Sequence, residues 1–366
     1  MVQVGPIFAA FLAKRSAAVL PLVPGIAVPQ CFSDATSEHL ATRRAAGLFD
    51  FSFMYCVEIT GAGSGDFLRA VQTREVDTLS CGRIAYTLLL HDDGSVLIDA
   101  TIWRLEDDRY WLFTGRRADA NYIADAARDH DVALNQRSRQ QAVIAVQGPA
   151  SPAIIERALN APGVRTLKYF SFTKLVFAGA DCWLARIGYS GERGYELVIA
   201  DAAAPQLWNA LLAAGKDDGI LECGFDAIDS LRIEAGHILF THELASATTP
   251  AELGMTRLVD FTRPAFRGTA SVRAQRWRPP ARRLVGLLPL HHARFEPGVR
   301  ATEKCGASIM TSKSWSPLLE RELALGFVPP DHAYPGTRVI LASGEPAQVA
   351  RLPFYDPARV LPRRVP

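Results

Sequence analysis

A carboxylate set inside an apolar strand restricts the possible folds of this chain more than any other feature, and it occurs twice. The run Ser95-Val-Leu-Ile-Asp-Ala-Thr-Ile-Trp103 is apolar and β-branched apart from Asp99 and Thr101, and Tyr195-Glu-Leu-Val-Ile199 carries Glu196. Asp and Glu are depleted in strands, where successive side chains point to opposite faces. Asp99 therefore shares a face with Leu97, Thr101 and Trp103, and Glu196 shares one with Val198, opposite Tyr195, Leu197 and Ile199. A half-buried carboxylate is costly unless something pairs with it. Three arrangements meet that cost. One is an ion pair, with Arg186 on the preceding strand as the candidate partner of Glu196. The second is a solvent-facing acid on a one-sided sheet. The third is a ligand offering N–H groups or developing positive charge.

The remaining periodicity mixes helices and strands in an α+β pattern rather than a doubly wound one. Helices are expected at residues 39–48 (ending at Gly47), 64–72, 117–130, 151–159, 203–214 and 224–235, the last with an Asp229/Arg232 pair at i,i+3. Strands are expected at 56–60 and 142–147, in a hairpin of 83–90 with 95–103, and in a pair of 181–187 with 195–200 around a Gly-rich turn. From Arg283 onward the pattern is all β. At 366 residues the chain exceeds one ordinary core. The Arg- and Pro-rich stretch 273–282 reads as a solvated linker between region 1–272 and a C-terminal β domain, 283–366.

A net charge of +2 gives no global basic field, so nucleic acid is not implied. Six scattered cysteines without a C-x-x-C pair fit reduced thiols in a cytoplasmic protein. The apolar first 29 residues are broken by Lys14, Arg15 and several prolines, and read as a short amphipathic helix over 6–13 and a loop over 17–28. No run approaches ~18 uninterrupted apolar residues, so no membrane span is expected. Gly61-Ala-Gly-Ser-Gly-Asp66 lacks the third glycine of a dinucleotide loop. Gly188-Tyr-Ser-Gly-Glu192 lacks the last glycine of a nucleophile elbow, so Ser190 reads as a turn residue. His237 and His242 are five apart, not four, and read as satisfied or surface histidines; no metal site is expected.

In their order along the chain, several segments resemble the glycine-cleavage T-protein (aminomethyltransferase) family from about Glu38 to Tyr355. They are Glu38-His-Leu-Ala-Thr-Arg-Arg-Ala-Ala-Gly-Leu-Phe-Asp-Phe-Ser-Phe-Met54, the Gly94–Ile102 strand, Gln147-Gly-Pro149 and Tyr169-Phe-Ser-Phe172. Arg186-Ile-Gly-Tyr-Ser-Gly-Glu-Arg-Gly-Tyr-Glu-Leu197, Asp229-Ser-Leu-Arg-Ile-Glu-Ala-Gly236, Thr311-Ser-Lys-Ser-Trp-Ser-Pro317 and Pro353-Phe-Tyr355 follow. The resemblance implies a three-domain α+β cloverleaf with a C-terminal β-barrel-like domain and tetrahydrofolate in a central channel. It implies that Glu196 is the pterin-binding acid, that Tyr189, Met54, Tyr86 and Arg186 are further cofactor-binding residues of the same pocket, and that Asp99 is the catalytic acid near folate N5. A reduced pterin, with adjacent N–H donors and a nucleophilic N5, suits a carboxylate accepting two parallel bonds.

Departures from the family pattern bear on the donor. Ile98 stands where the family has the first Asp of an Asp-Asp pair, Phe53 where it has a histidine, and Thr249-Pro250 where it has Asn-Pro. The pterin half is kept and the donor side rebuilt, with Ile98 and Phe53 expected to make the donor pocket more apolar. The resemblance thus implies a tetrahydrofolate-dependent transferase taking a methyl or aminomethyl group from a small N-, O- or S-linked donor, in the manner of demethylases on this fold. Glycine-cleavage aminomethyltransferase proper, with a lipoyl carrier protein as partner, is the alternative within the family. A non-catalytic folate-binding protein of the iron–sulfur-assembly type, or a partner subunit of an amine oxidase, are alternatives outside it.

Overall fold

In the computed structural model, residues 3–4, 19–23, 26–138, 140–290 and 308–364 are described. Two sheets face each other and a third lies toward the C terminus. The first has six strands in the order Phe172–Phe177, Ala180–Ala185, Gly194–Ala200, Gln141–Gln147, Ala46–Asp50, Ile220–Glu222. The second has five, in the order Ile84–Leu90, Val96–Glu106, Arg109–Thr114, Tyr55–Thr60, Ala133–Gln136. The hairpin and the strand pair around the Gly-rich turn form as their alternation predicts.

Alternation decides what each face meets. On the first sheet Leu48, Ile144, Tyr195, Leu197 and Ile199 pack with Leu207, Trp208 and Leu211 of the helix Ala204–Gly215 and with Ile154 and Ile155 of Ser151–Leu159. Residues one step out of phase (Phe49, Val143, Ala145, Ala185, Val198) point the other way and pack with Cys56, Trp103, Trp111 and Phe113 of the second sheet. The outer face of that sheet, including Ile98, Ala100, Ile102 and Leu112, is closed by the helices Ser64–Val71 and Asp119–Ala126. Glu196 and Asp99 both belong to the inner faces, as their period-two neighbours require.

Three local expectations change. The helix expected over 39–48 ends at Arg44, and Ala46–Asp50 is a strand. That strand pairs antiparallel with Gln141–Gln147 and parallel with Ile220–Glu222. A run apolar on both sides serves a doubly buried strand as well as a helix, and here non-local pairing decided. A Cβ at Gly47 would come within 2.2 Å of Thr42 Oγ1 and 2.9 Å of Cys223 Sγ, so only glycine admits this approach of strand to helix. The helix expected over 117–130 shortens to Asp119–Ala126. Near the N terminus, the expected loop contains the strands Val19–Val23 and Ile26–Pro29, paired antiparallel; the helix expected over 6–13 lies outside the described residues.

The C-terminal sheet runs Ile309–Ser316, Arg321–Val328, Arg283–Pro289, Pro346–Ala350, Arg338–Ile340. A short helix, Thr269–Gln275, precedes it and extends into the stretch read as a linker. The helix Phe225–Glu234 joins this sheet to the rest through buried charge. Arg232 bonds Asp229 (2.8 Å), Glu243 (2.9 Å) and Ser312 of the strand Ile309–Ser316 (2.8 Å). Glu243 also accepts from Thr311 at 2.6 Å and Ser312 at 2.5 Å. Glu234, on the same helix, holds Arg43 at 2.6 Å and His39 at 3.1 Å. Among the described residues no helix is long and apolar enough to cross a membrane.

Candidate functional site

The site grows from the inner face of the strand Gly194–Ala200. Its neighbours place Ala145 and Ala185 directly beside Glu196. Both neighbours are alanines, so neither offers the carboxylate a polar partner. Seven glutamates are buried among the described residues, and six have ionic or hydrogen-bonding partners. Glu38 accepts the amides of Phe32 and Gly224, Glu58 pairs with Arg109, Glu192 and Glu234 with Arg43, Glu243 with Arg232, and Glu252 with Arg282. Glu196 alone, 7% exposed, has no described hydrogen bond or ion pair. Burial, with nothing opposing it, pushes its carboxyl up to about 8.

The ion pair entertained for Glu196 does not form. Ala185 and Ile187 both face the inner cluster, so Arg186 between them points to the other side of the sheet. There its guanidinium bonds the carbonyls of Leu167 (2.8 Å), Pro362 (3.2 Å) and Arg364 (2.7 Å). Arg186 is thus separated from the other candidate residues and holds the C-terminal segment.

Asp99 lies on the inner face of Val96–Glu106 and is half-buried. Tyr86, diagonally across the hairpin, donates its hydroxyl to Asp99 Oδ2 at 2.9 Å. Burial raises the Asp99 carboxyl above its ordinary value, and the Tyr86 hydrogen bond is the main opposing influence. Burial, then the Asp99 charge, raises Tyr86 well above the usual phenol range, so it remains a donor. Tyr189 influences Tyr86, and Asp99 influences Tyr189, which brings the three groups into one electrostatic neighbourhood. Tyr189 donates to the Ile238 carbonyl, so its ring rather than its hydroxyl is free for stacking. Met54 is partly buried against the same inner cluster, beside Phe53, which packs edge-on against Phe51 and Phe225.

Ile98 is fully buried on the opposite face, in the core under the helices Ser64–Val71 and Asp119–Ala126. It does not line the pocket, and the expectation that it makes the donor side more apolar is corrected; Phe53 is the one of that pair on the inner side. The Gly-rich turn is built around Gln147. A Cβ at Gly188 or Gly194 would come within 2.0 or 2.2 Å of its Oε1, and Ser190 donates to that oxygen at 2.9 Å. Ser190 is accordingly a buried turn residue.

His237, read from the sequence as a satisfied or surface histidine, is half-buried against Tyr189. Its ring stacks on Tyr189 with centroids 5.7 Å apart and planes 15° apart. Burial, followed by the fields of Arg359, Arg232 and Arg43, pushes its pKa down to about 3, so it is a neutral imidazole. A lone histidine has no sequence signature for this role; only the stacking partner reveals it.

Residues 9–263 match the family model described as the GCVT N-terminal domain, and residues 282–356 match the glycine cleavage T-protein C-terminal barrel domain. The aminomethyltransferase of Streptomyces coelicolor is 34% identical over 343 residues, covering 90% of this chain and 91% of the relative. That of Chlorobaculum tepidum is 32% identical over 348 residues, covering 92% and 94%. The glycine cleavage system aminomethyltransferase T from Bartonella henselae superposes with a TM-score of 0.85 at 25% identity, covering 97% of this chain and 99% of that one.

Proposed function

This chain belongs to the glycine-cleavage T-protein (aminomethyltransferase) family of folate-dependent enzymes, and on that premise we propose that it moves a methyl or methylene unit from a small N-, O- or S-linked donor to N5 of tetrahydrofolate. The observation that carries this reading is the unpartnered carboxyl of Glu196, buried between two alanines. Leaving such a group unpaired is costly, and the N–H edge of a pterin supplies the missing donors in parallel geometry. When bound, tetrahydrofolate supplies N5 as the nucleophile toward the one-carbon unit.

In this reading Glu196 binds and orients, accepting two N–H groups as a carboxylate. Tyr189 offers its ring face, and Met54 and Tyr86 complete the wall. Asp99 is the catalytic acid/base. Tyr86 occupies its Oδ2, so Oδ1 is the oxygen that takes or returns a proton, and its raised pKa brings that exchange closer to neutral pH. Arg186 acts indirectly, by anchoring the C-terminal segment. We divide the chain into a folate-binding region, 1–272, a linker, 273–282, and a C-terminal barrel domain, 283–366. A lipoyl carrier protein or an amine-oxidase subunit remain the proposed macromolecular partners, and a cytoplasmic location is proposed from the five free thiols among the described residues.

Calorimetric titration of tetrahydrofolate into wild type, Glu196→Ala and Asp99→Asn tests the reading. Glu196→Ala should lose roughly 1.5–3 kcal/mol of affinity, the worth of a charge-assisted contact. Asp99→Asn should bind nearly as wild type but turn over about 100-fold or more slowly. Absence of binding by wild type would refute the assignment. Normal turnover by Asp99→Asn would remove the acid from the chemistry.

A further inference from the structure

The end of the helix Phe225–Glu234 is shaped to place a flat ring against Tyr189. Its cap, Ala235, is followed by Gly236 at φ +67°, in the left-handed region that glycine enters as readily as any other. The Gly236 amide donates to the Ile233 carbonyl at 3.0 Å, and the His237 amide to the Arg232 carbonyl at 2.8 Å. This paired closure satisfies carbonyls of the last turn and fixes the direction in which residue 237 leaves the helix. Arg232 reinforces it, donating to the His237 carbonyl at 3.1 Å while its own ion pair with Glu243 is fully buried. Glu243 in turn accepts the Leu239 amide at 2.8 Å. Residues 236–239 are thus held by hydrogen bonds that leave the His237 side chain out.

The Gly-rich turn that carries Tyr189 rests on this cap. A Cβ at Gly191 would come within 2.7 Å of Ala235 Cβ, so the turn meets the helix end directly. Tyr189 is then gripped twice by the segment that follows. Its hydroxyl donates to the Ile238 carbonyl, and its ring lies nearly parallel to the His237 imidazole, with centroids 5.7 Å apart and planes 15° apart. At that spacing two parallel rings are offset, the arrangement that their negative faces and positive edges favour. One contact fixes the far end of the phenol and the other fixes its plane. Among the described residues the imidazole has no side-chain hydrogen bond, and it is neutral. What it offers Tyr189 is a flat, uncharged surface.

We propose that His237 is a positioning residue for folate: it sets the plane of the Tyr189 ring, and Tyr189 presents its opposite face to the ligand. The proposal rests on the folate-dependent reading above. It assigns the fit at this wall to ring geometry rather than to a hydrogen bond from the imidazole. A planar side chain at 237 should therefore serve in place of histidine, and a branched aliphatic one should not.

The test uses full-length wild type, His237→Phe, His237→Leu, Tyr189→Leu and the double variant Tyr189→Leu/His237→Leu, each titrated with tetrahydrofolate. His237→Leu should bind about threefold to tenfold more weakly, the worth of an aromatic pair. His237→Phe should recover most of that loss. The double variant should bind no more weakly than Tyr189→Leu alone, because a residue that acts through Tyr189 then has nothing left to act on. A side chain that only fills space would change melting temperature without this pattern of affinities. Wild-type affinity in His237→Leu, equal losses in His237→Leu and His237→Phe, or additive losses in the double variant would each overturn the proposal. The stack is also read without ligand. In protein labelled with meta-fluorotyrosine, the fluorine resonance missing from Tyr189→Leu belongs to Tyr189, and it should shift in His237→Leu; an unmoved resonance overturns the proposal whatever binds. If wild type binds no tetrahydrofolate, the folate reading fails and the positioning role with it, and a shifted resonance then shows that the failure lies in the ligand and not in the stack.

Discussion

Replacing Glu196 by Gln should change how folate binding is coupled to protons, and the structure gives the size of the effect. Burial carries the Glu196 carboxyl from 4.5 to about 8 in the folded protein. That rise corresponds to roughly 5 kcal/mol of differential stability. Because the folded value is raised, this stability is fully present below pH 4.5, is lost as pH rises toward 8, and is constant above that. Glu196→Gln cannot ionise, so ligand-free variant and wild type should differ little in melting temperature below pH 4.5, diverge in the variant's favour between pH 4.5 and 8, and keep a constant gap above that. Binding reverses the preference, since a carboxylate that accepts two N–H bonds must first give up its proton. At pH 7 tetrahydrofolate should therefore displace about 0.9 proton from wild type, falling to about 0.1 at pH 9. Calorimetry at pH 7 in buffers of different ionisation enthalpy measures that number directly. Glu196→Gln should show none of this release and weaker binding. Buffer-independent enthalpy in wild type, or the same proton release in the variant, would refute the reasoning.

Two further outcomes follow from contacts in the structure. Tyr86→Phe removes the donor on Asp99 Oδ2 while leaving burial in place, so the Asp99 pKa should rise further and the acid limb of the kcat/KM profile should move to higher pH; an unmoved limb would separate that limb from Asp99. Arg232→Met leaves Glu243, fully buried, without its cation and should destabilise the protein by about 3–5 kcal/mol, read from denaturant unfolding; a loss below about 1 kcal/mol would show that Thr311, Ser312 and the Leu239 amide suffice for Glu243.

Much of the candidate site is legible in the amino-acid sequence. The faces of Asp99 and Glu196 follow from alternation, and the same rule puts Ile98 on the opposite face from Asp99, which is why its departure from the family pattern leaves the pocket wall unaltered. The pairing of Tyr86 with Asp99 is not legible, because a diagonal contact across a hairpin depends on its register. Nor is the role of Arg186 or His237, since a long cation and a neutral imidazole have no periodicity that names their partners. The boundary near Gly47 fails for a related reason: an apolar run suits a helix or a doubly buried strand until its neighbours are known.

By itself, then, the sequence determined the α+β mixture, the strand faces, the ordered motifs of the T-protein family and the two acids that interrupt apolar strands. These are local properties, set by backbone period and by residue type at fixed spacing. Tertiary structure alone decided that, among the described residues, Glu196 is the buried glutamate without a partner while six others are paired, and that Arg186 turns away to hold the C-terminal segment. Whether a charge is satisfied depends on which other element arrives opposite it, and that is settled only when the sheets pack.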